Sequence, residues 1–385
     1  MFPIRRIITS GGDKFRDEHS LAFDGTDDYV AISNHSNFAS DTIGTISSWF
    51  KSTNSGAYGW IVTGSDDGDA SSDVSLGIDS NNKLAFYVRD DGSNDIGFIT
   101  TDSYNDGQWH HVAVSVAASS NIIYIDGKLA VGSYGTGSTS TQAWFSDVTG
   151  LDTLRIGNRK DSGGNQHHLV GNISEVAIYS VGLTSSQIKT IYNGREPYNH
   201  KEGIASGNLK AWYRMGDGSL DDFGTEGTIC DEVTPTITED VIADGIFDTA
   251  VAENTSGTHW ITGAGIVISG GSATYDGGGD NNSQLNSVVN SSIIDNSVHK
   301  VEFNLTDTGG GGVYVRVCAG SFTLVSGTAK HTLYIMSGTG DNKLTFETGH
   351  NDKAFTLDNI SVRKINGNAG AMINMDAVDI TGDTP

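Results

Sequence analysis

One stretch of this 385-residue chain is patterned for a helix, and almost everything around it alternates. Thr184 is a good N-cap, and Gln187 three residues on can close a capping box. Ile188, Ile191 and Tyr192 then fall at i, i+3 and i+4, one apolar stripe, and Gly194 supplies a residue suited to a left-handed C-cap. Elsewhere the apolar residues recur every second position. Leu84, Phe86 and Val88 share one face, as do Val112, Val114 and Val116. Further on, Val301, Phe303 and Leu305 alternate, and so do Val313, Val315 and Val317. Period-2 segments of this length are half-buried strands. One helix among many such strands leaves little besides sheets packed on sheets.

The gaps between strands agree. The chain has 50 glycines and 4 prolines, and clusters such as Ser65-Asp-Asp-Gly68, Asp90-Asp-Gly-Ser93 and Asp161-Ser-Gly-Gly164 punctuate the alternation. Glycine, asparagine, aspartate and serine each favour tight turns. Asp126-Gly127, between Ile122–Ile125 and Lys128–Val131, predicts a two-residue type I′ hairpin. Near Asp358-Asn359 the apolar phase slips by one residue, which predicts a β-bulge. The expected fold is all-β: two antiparallel β-sandwiches in tandem, with one short helix near 184–193. The expected divisions are an N-terminal arm (1–19), a first sandwich (20–220), a linker (221–242), a second sandwich (243–365) and a C-terminal tail (366–385) too short to bury a core. Within the linker, Pro235 suggests an extended segment.

Three motifs carry a resemblance. Ser20-Leu-Ala-Phe-Asp-Gly-Thr-Asp-Asp-Tyr-Val30 resembles the opening strand of the laminin-G-like, concanavalin-A-like jelly roll. Gln108-Trp-His-His-Val-Ala-Val-Ser-Val116 with Ile123-Tyr-Ile-Asp-Gly-Lys128 resembles its central hairpin. Gly171-Asn-Ile-Ser-Glu-Val176 followed by Leu183-Thr-Ser-Ser-Gln-Ile188 resembles its closing strand and helix. The second sandwich, from Phe247, Trp260 and Tyr275 to Thr356-Leu-Asp-Asn-Ile-Ser-Val362, resembles a carbohydrate-binding-module jelly roll. The pairing of the two resembles structural proteins of marine tailed-phage virions. That fold hosts lectins, enzymes, adhesion modules and viral proteins alike, so function has to be argued from a site.

Composition removes several classes. The net charge is −24, which argues against nucleic acid and anionic membrane surfaces as partners. No stretch approaches the roughly 18 apolar residues of a membrane span. Cys230 and Cys318 fall in different expected domains, so a disulfide framework is not supported. The first residues include two arginines but no apolar run of signal-peptide length, so synthesis in a host cytoplasm is expected.

The carboxylates and histidines show no catalytic spacing. A glycosidase on this fold would present paired carboxylates, in concanavalin-A-like glucanases as Glu-x-Asp-x-x-Glu; no glutamate here begins such a triplet. His110-His111 and His167-His168 are adjacent, so on a regular strand each pair points to opposite faces and cannot chelate one ion. The expectation is therefore no enzyme. Sugar binding would use aromatic platforms, and Tyr58, Trp60, Trp144, Trp260 and Tyr275 lie near loops or domain openings. Trp49 and Trp109, inside alternating strands, read as core. The resemblance implies a structural Ca²⁺ held by carboxylates, with Asp28 and Glu175 at matching positions, although Ser174 stands where the family usually has Asp.

The function expected from these readings is a virion structural protein: a capsid decoration, fibre or tail appendage, displayed on the particle surface. Its expected partners are other virion proteins and its own copies, as a homotrimer, with host-surface glycan as a ligand. The alternatives are a free-standing carbohydrate-binding protein or lectin and, third, a glycan-active enzyme.

Overall fold

The computed structural model describes residues 15–385 except 34, 219–220, 222–227, 234–235, 238–239, 279–281, 291, 294–296, 349–352 and 376. Most of the expected arm, residues 1–14, and Pro235 lie outside the described residues. The rest is all-β as expected. The first sandwich packs an eight-stranded sheet against a nine-stranded one, and the second packs a six-stranded sheet against a five-stranded one.

Alternation explains the first core. Ile46, Phe50, Val112, Val114, Ile173 and Ile178 project from the eight-stranded sheet. They meet Val74, Leu76, Phe86, Val88, Ile96 and Met372 from the nine-stranded sheet. All of them are buried, and burying such side chains contributes about 1.5–3 kcal/mol each. The hairpin at Asp126-Gly127 has φ 49° and 69° at its two turn residues, as a type I′ turn requires.

The eight-stranded sheet is buried on its second face as well. The helix Ser185–Tyr192 lays Ile188 and Ile191 onto Ala113, Tyr124, Ala177 and Trp212. Thr184 accepts from the Gln187 amide at 3.3 Å, and Gln187 Oε1 accepts from the Thr184 amide at 2.8 Å, which closes the capping box. Asn193 itself takes the left-handed C-cap with φ 51°, one residue before Gly194.

The second core forms in the same way. Val301, Phe303, Leu305, Val362 and Leu357 face Val313, Val315, Leu344 and Phe346. The bulge expected near Asp358-Asn359 is present: pairing with Val298–Asp307 shifts there and Asn359 has φ 53°.

Two segments depart from expectation. The residues read as a tail are built into the first sandwich. Gly370–Ile373 pairs with Tyr29–Ile32 on one side and Thr228–Ile229 on the other, burying Met372. Ile380–Thr381 pairs with Ser20–Asp24, and Asp383 receives Lys51 Nζ at 2.5 Å and Trp109 Nε1 at 2.9 Å. The residues read as a linker are also partly sheet. Thr228–Ile229 joins the first sandwich and Thr236–Ile237 pairs with the long strand Phe355–Asn366 of the second. Each piece is too short to bury a face alone, but each completes a sheet begun far away in sequence. Cys230, Ala369 and Ala371 then share an apolar cluster with Val298, Tyr334 and Ile365. No helix among the described residues is long and apolar enough to cross a membrane.

Candidate functional site

The outward face of the nine-stranded sheet holds a recess lined by aromatic side chains. In the strand Lys83–Asp90, Leu84, Phe86 and Val88 point into the core, so Tyr87 and Arg89 point outward. Opposite them stand Ser75 and Asp73 on the neighbouring strand. Trp60 reaches the same face through a bulge. The register shifts between Trp60 and Val62, so Ile61 and Val62 both enter the core while Trp60 lies opposite Gly77. Only glycine fits at 77, because a Cβ there would lie 2.4 Å from the Gly59 carbonyl oxygen and 2.7 Å from Trp60 Cα.

The hairpin formed by Arg159–Asp161 and Gly164–Gln166 closes one side, and the residue after it, His167, turns in with φ 58°. The result is a cavity of about 230 Å³ walled by aromatic rings and arginines. Tyr58 stacks on Trp60 with ring centroids 5.3 Å apart and planes at 28°. His167 packs 5.1 Å from Tyr58, and Tyr87 meets Trp60 edge-on at 6.0 Å. Trp60 is only 1% exposed. It therefore backs the site, and half-buried Tyr58 offers the accessible ring.

The polar groups are anchored from behind. Arg89 and Arg159 both pair with buried Asp73, and Arg159 also pairs with buried Asp161. Asp161 is held in turn by Gln166 Nε2 at 2.9 Å and the Gly163 amide at 2.8 Å. Burial, then the Tyr58 and Asp79 groups nearby, push the Tyr87 hydroxyl up to about 12, so it stays protonated. Burial and the neighbouring Arg159 lower the pKa of His167, which favours its neutral form. The site thus offers rings for a sugar's C–H face and fixed N–H and O–H groups for its hydroxyls.

The structure divides the sequence-expected aromatics. Tyr58 and Trp60 come together here. Trp144, Trp260 and Tyr275 are not platforms, because each is fully buried. Trp144 packs on Phe86 and Phe145 in the first core. Trp260 donates its indole N–H to the Asp244 carbonyl at 2.9 Å, and Tyr275 packs on Phe355 at 5.5 Å. A large ring filling a core outweighs its nearness to a loop in sequence. Trp49 is core, whereas Trp109 is a half-buried rim residue tied to Asp383. Sequence reading missed Tyr87, Arg89, Arg159 and His167. The available signal was phase: Tyr87 and Arg89 are the outward partners of a strand whose inward residues were recognised.

Asp28 and Glu175 occupy different places. The carboxylates of Asp24, Asp27 and Asp28 lie within 4.8 Å of one another, and Glu175 is not among them. Asp28 accepts from the Asp24 amide at 2.9 Å, and burial, then Asp24 and Asp379, push its carboxyl up to about 6. Three hard oxygen donors at this spacing could hold a cation such as Ca²⁺.

Glu175 instead belongs to a buried network. It sits at a bulge in the strand Val170–Tyr179 with φ 53°, and it receives Trp212 Nε1 at 2.5 Å and Arg214 Nε at 3.2 Å. Its carboxyl is hydrogen-bonded to that of Asp17, a residue of the expected arm. Burial holds Glu175 well above the usual carboxylate range and pushes Asp17 up to about 7.

Residues 24–189 match the family described as the concanavalin A-like lectin/glucanases superfamily, the stretch that forms most of the first sandwich. The chain is also similar to the mouse protein named sushi, von Willebrand factor type A, EGF and pentraxin domain-containing protein 1. The identity is 30% over 116 residues, 29% of this chain and 3% of the mouse protein. The rat counterpart is 29% identical over the same length, so the chain spans 3% of the length of these curated relatives. Among solved structures, the CBM40 of the Ruminococcus gnavus IT-sialidase bound to α2,3-sialyllactose aligns at TM-score 0.38 and 14% identity. It covers 45% of this chain and 97% of its own. A heptameric SAP-like pentraxin from Limulus polyphemus aligns at TM-score 0.35 and 18% identity, covering 47% and 85%.

Proposed function

We propose that the protein is a non-catalytic carbohydrate-binding protein whose site is the cavity on the outward face of the nine-stranded sheet. The observation that carries this reading is the Tyr58–Trp60 stack at 5.3 Å, set beside fixed polar groups in a recess of about 230 Å³. Its match to the concanavalin A-like lectin/glucanases superfamily supports it. A ring buttressed from behind loses little conformational entropy when a sugar stacks on it. A glycan array with the wild-type chain and Tyr58→Ala tests it: binding lost in the variant supports the reading, and a blank array refutes it. Ca²⁺ at Asp24, Asp27 and Asp28 would stiffen the turn that opens the first sandwich.

A second reading sets this binding on the surface of a virus particle, with the protein as a homo-oligomeric virion component, a trimer expected. One observation favours self-association: Leu129 is 61% exposed on Lys128–Leu129, the edge strand of the eight-stranded sheet. Exposed apolar residues on an unpaired edge invite another chain. Light scattering of the wild type and Leu129→Asp tests it; a wild type that stays monomeric at high concentration counts against it.

A further inference from the structure

The walls of the cavity differ from the rest of this molecule in charge. The chain has 47 acidic residues against 23 lysines and arginines, so an average recess should show carboxylates. Two other recesses among the described residues do. Asp67 and Asp152 line one, and Asp17, Glu18 and Glu196 line the other. The cavity of Tyr58 and Trp60 is lined by Arg89, Arg159 and His167 and by no acidic residue.

A second observation bears on the same walls. Among the described residues, no acceptor meets the indole N–H of Trp60, Nε–H of Arg89 or Nε–H of Arg159, and all three atoms are buried. Each buried side-chain polar atom of the lining that lacks a partner is thus an N–H donor. A buried donor left unpaired is costly, so few are kept without a purpose. Asp73 and Asp161 balance the two guanidinium groups, but from behind, where both carboxylates are 3% exposed or less. The positive ends of these pairs face the cavity and the negative ends face the protein.

From this asymmetry we infer that the site selects an anionic saccharide, one bearing a carboxylate or sulfate, with the negative group set against Arg89 and Arg159 and the sugar ring against Tyr58. This rests on the carbohydrate-binding reading above and adds the charge of the ligand. A planar carboxylate or a sulfate suits guanidinium donors better than an ammonium, and charge-assisted hydrogen bonds are about twice as strong as neutral ones. Arg89 is the more accessible of the two, with its side chain 24% exposed against 7% for Arg159. Arg89 therefore makes the first contact.

The test uses the full chain on an array of neutral, carboxylated and sulfated saccharides. Titration calorimetry then compares the best acidic binder with its methyl-esterified or desulfated counterpart. The expected result is affinity for the anionic sugar at least about tenfold higher, falling as salt is raised. Arg89→Gln should abolish that preference while Arg89→Lys keeps part of it, and Tyr58→Ala should weaken both sugars. Far-ultraviolet dichroism and melting of each variant establish that it is folded. Equal affinity for the neutral and anionic forms overturns this inference and leaves the carbohydrate-binding reading standing. Binding to no saccharide overturns both.

Discussion

The carboxyl of Asp17 is hydrogen-bonded to that of Glu175, a fully buried residue more than a hundred and fifty positions later in the chain. Ser174 Oγ donates to Asp17 at 3.1 Å, Arg214 Nε reaches Glu175 at 3.2 Å, and Arg214 lies 4.5 Å over the ring of Phe15. His19 and Asp217 pair at 2.7 Å beside them. The segment from Phe15 is thereby docked against the first sandwich through two acids that cannot both ionise there without repulsion.

Stability should fall as pH rises through the range of this pair. Both carboxyls have raised pKa values, Asp17 about 7 against its ordinary 3.8, so the folded state binds more protons than the unfolded one between those values. The contribution is complete below about pH 4 and is lost as pH passes 7. Asp28 and Asp221, also raised to about 6, act in the same direction. Glu175→Gln keeps a donor for Asp17 and removes one titration. Its melting temperature, followed from pH 4.5 to 8.5, should decline less steeply than that of the wild type; parallel curves would contradict this account.

Tyr58→Ala should weaken sugar binding at least about tenfold, near the upper range for losing one aromatic contact. Tyr58 is half-buried, so melting should shift little. Tyr58→Phe keeps the stack and should bind within a few-fold of the wild type by calorimetry.

Trp144→Ala and Trp260→Ala should each cost about 3–5 kcal/mol, the usual range for removing a buried tryptophan. Each fills a core at 0% exposure. Guanidinium denaturation measures the loss, and the sugar preference of whatever protein remains folded should be unchanged.

Met372→Ala should destabilise the first sandwich by about 2–5 kcal/mol, although it lies beyond the second sandwich in sequence. Its side chain is fully buried in the first core, on a strand held between two others. A denaturation midpoint equal to that of the wild type would show that the C-terminal strand is dispensable.

Calcium should raise the melting temperature of the wild type and a chelator should reverse the rise. Asp28→Asn should abolish the response, since it removes one of the three clustered carboxylates. The same variant also loses a raised carboxyl, so its melting without calcium should equal or exceed that of the wild type at neutral pH.

Local pattern alone determined much of this protein. Period-2 alternation placed Leu84, Phe86 and Val88 in one core and Val301, Phe303 and Leu305 in the other. The Thr184–Gln187 box placed the helix, and Asp126-Gly127 placed the hairpin, because caps and turns depend on neighbours a few residues apart. Tertiary structure decided the rest. Whether Tyr58 or Trp144 and Trp260 would meet solvent depended on which strands covered them. Arg89 and Arg159 join only through Asp73, and Asp17 meets Glu175 only after the sheet has formed. The short strand Gly370–Ile373 gains its partners from residues 29–32 and 228–229, and no local preference of four residues encodes that pairing. Alternation tells a strand which side to bury, but the hydrogen bonds that choose its neighbours are long-range, and the site was assembled by that choice.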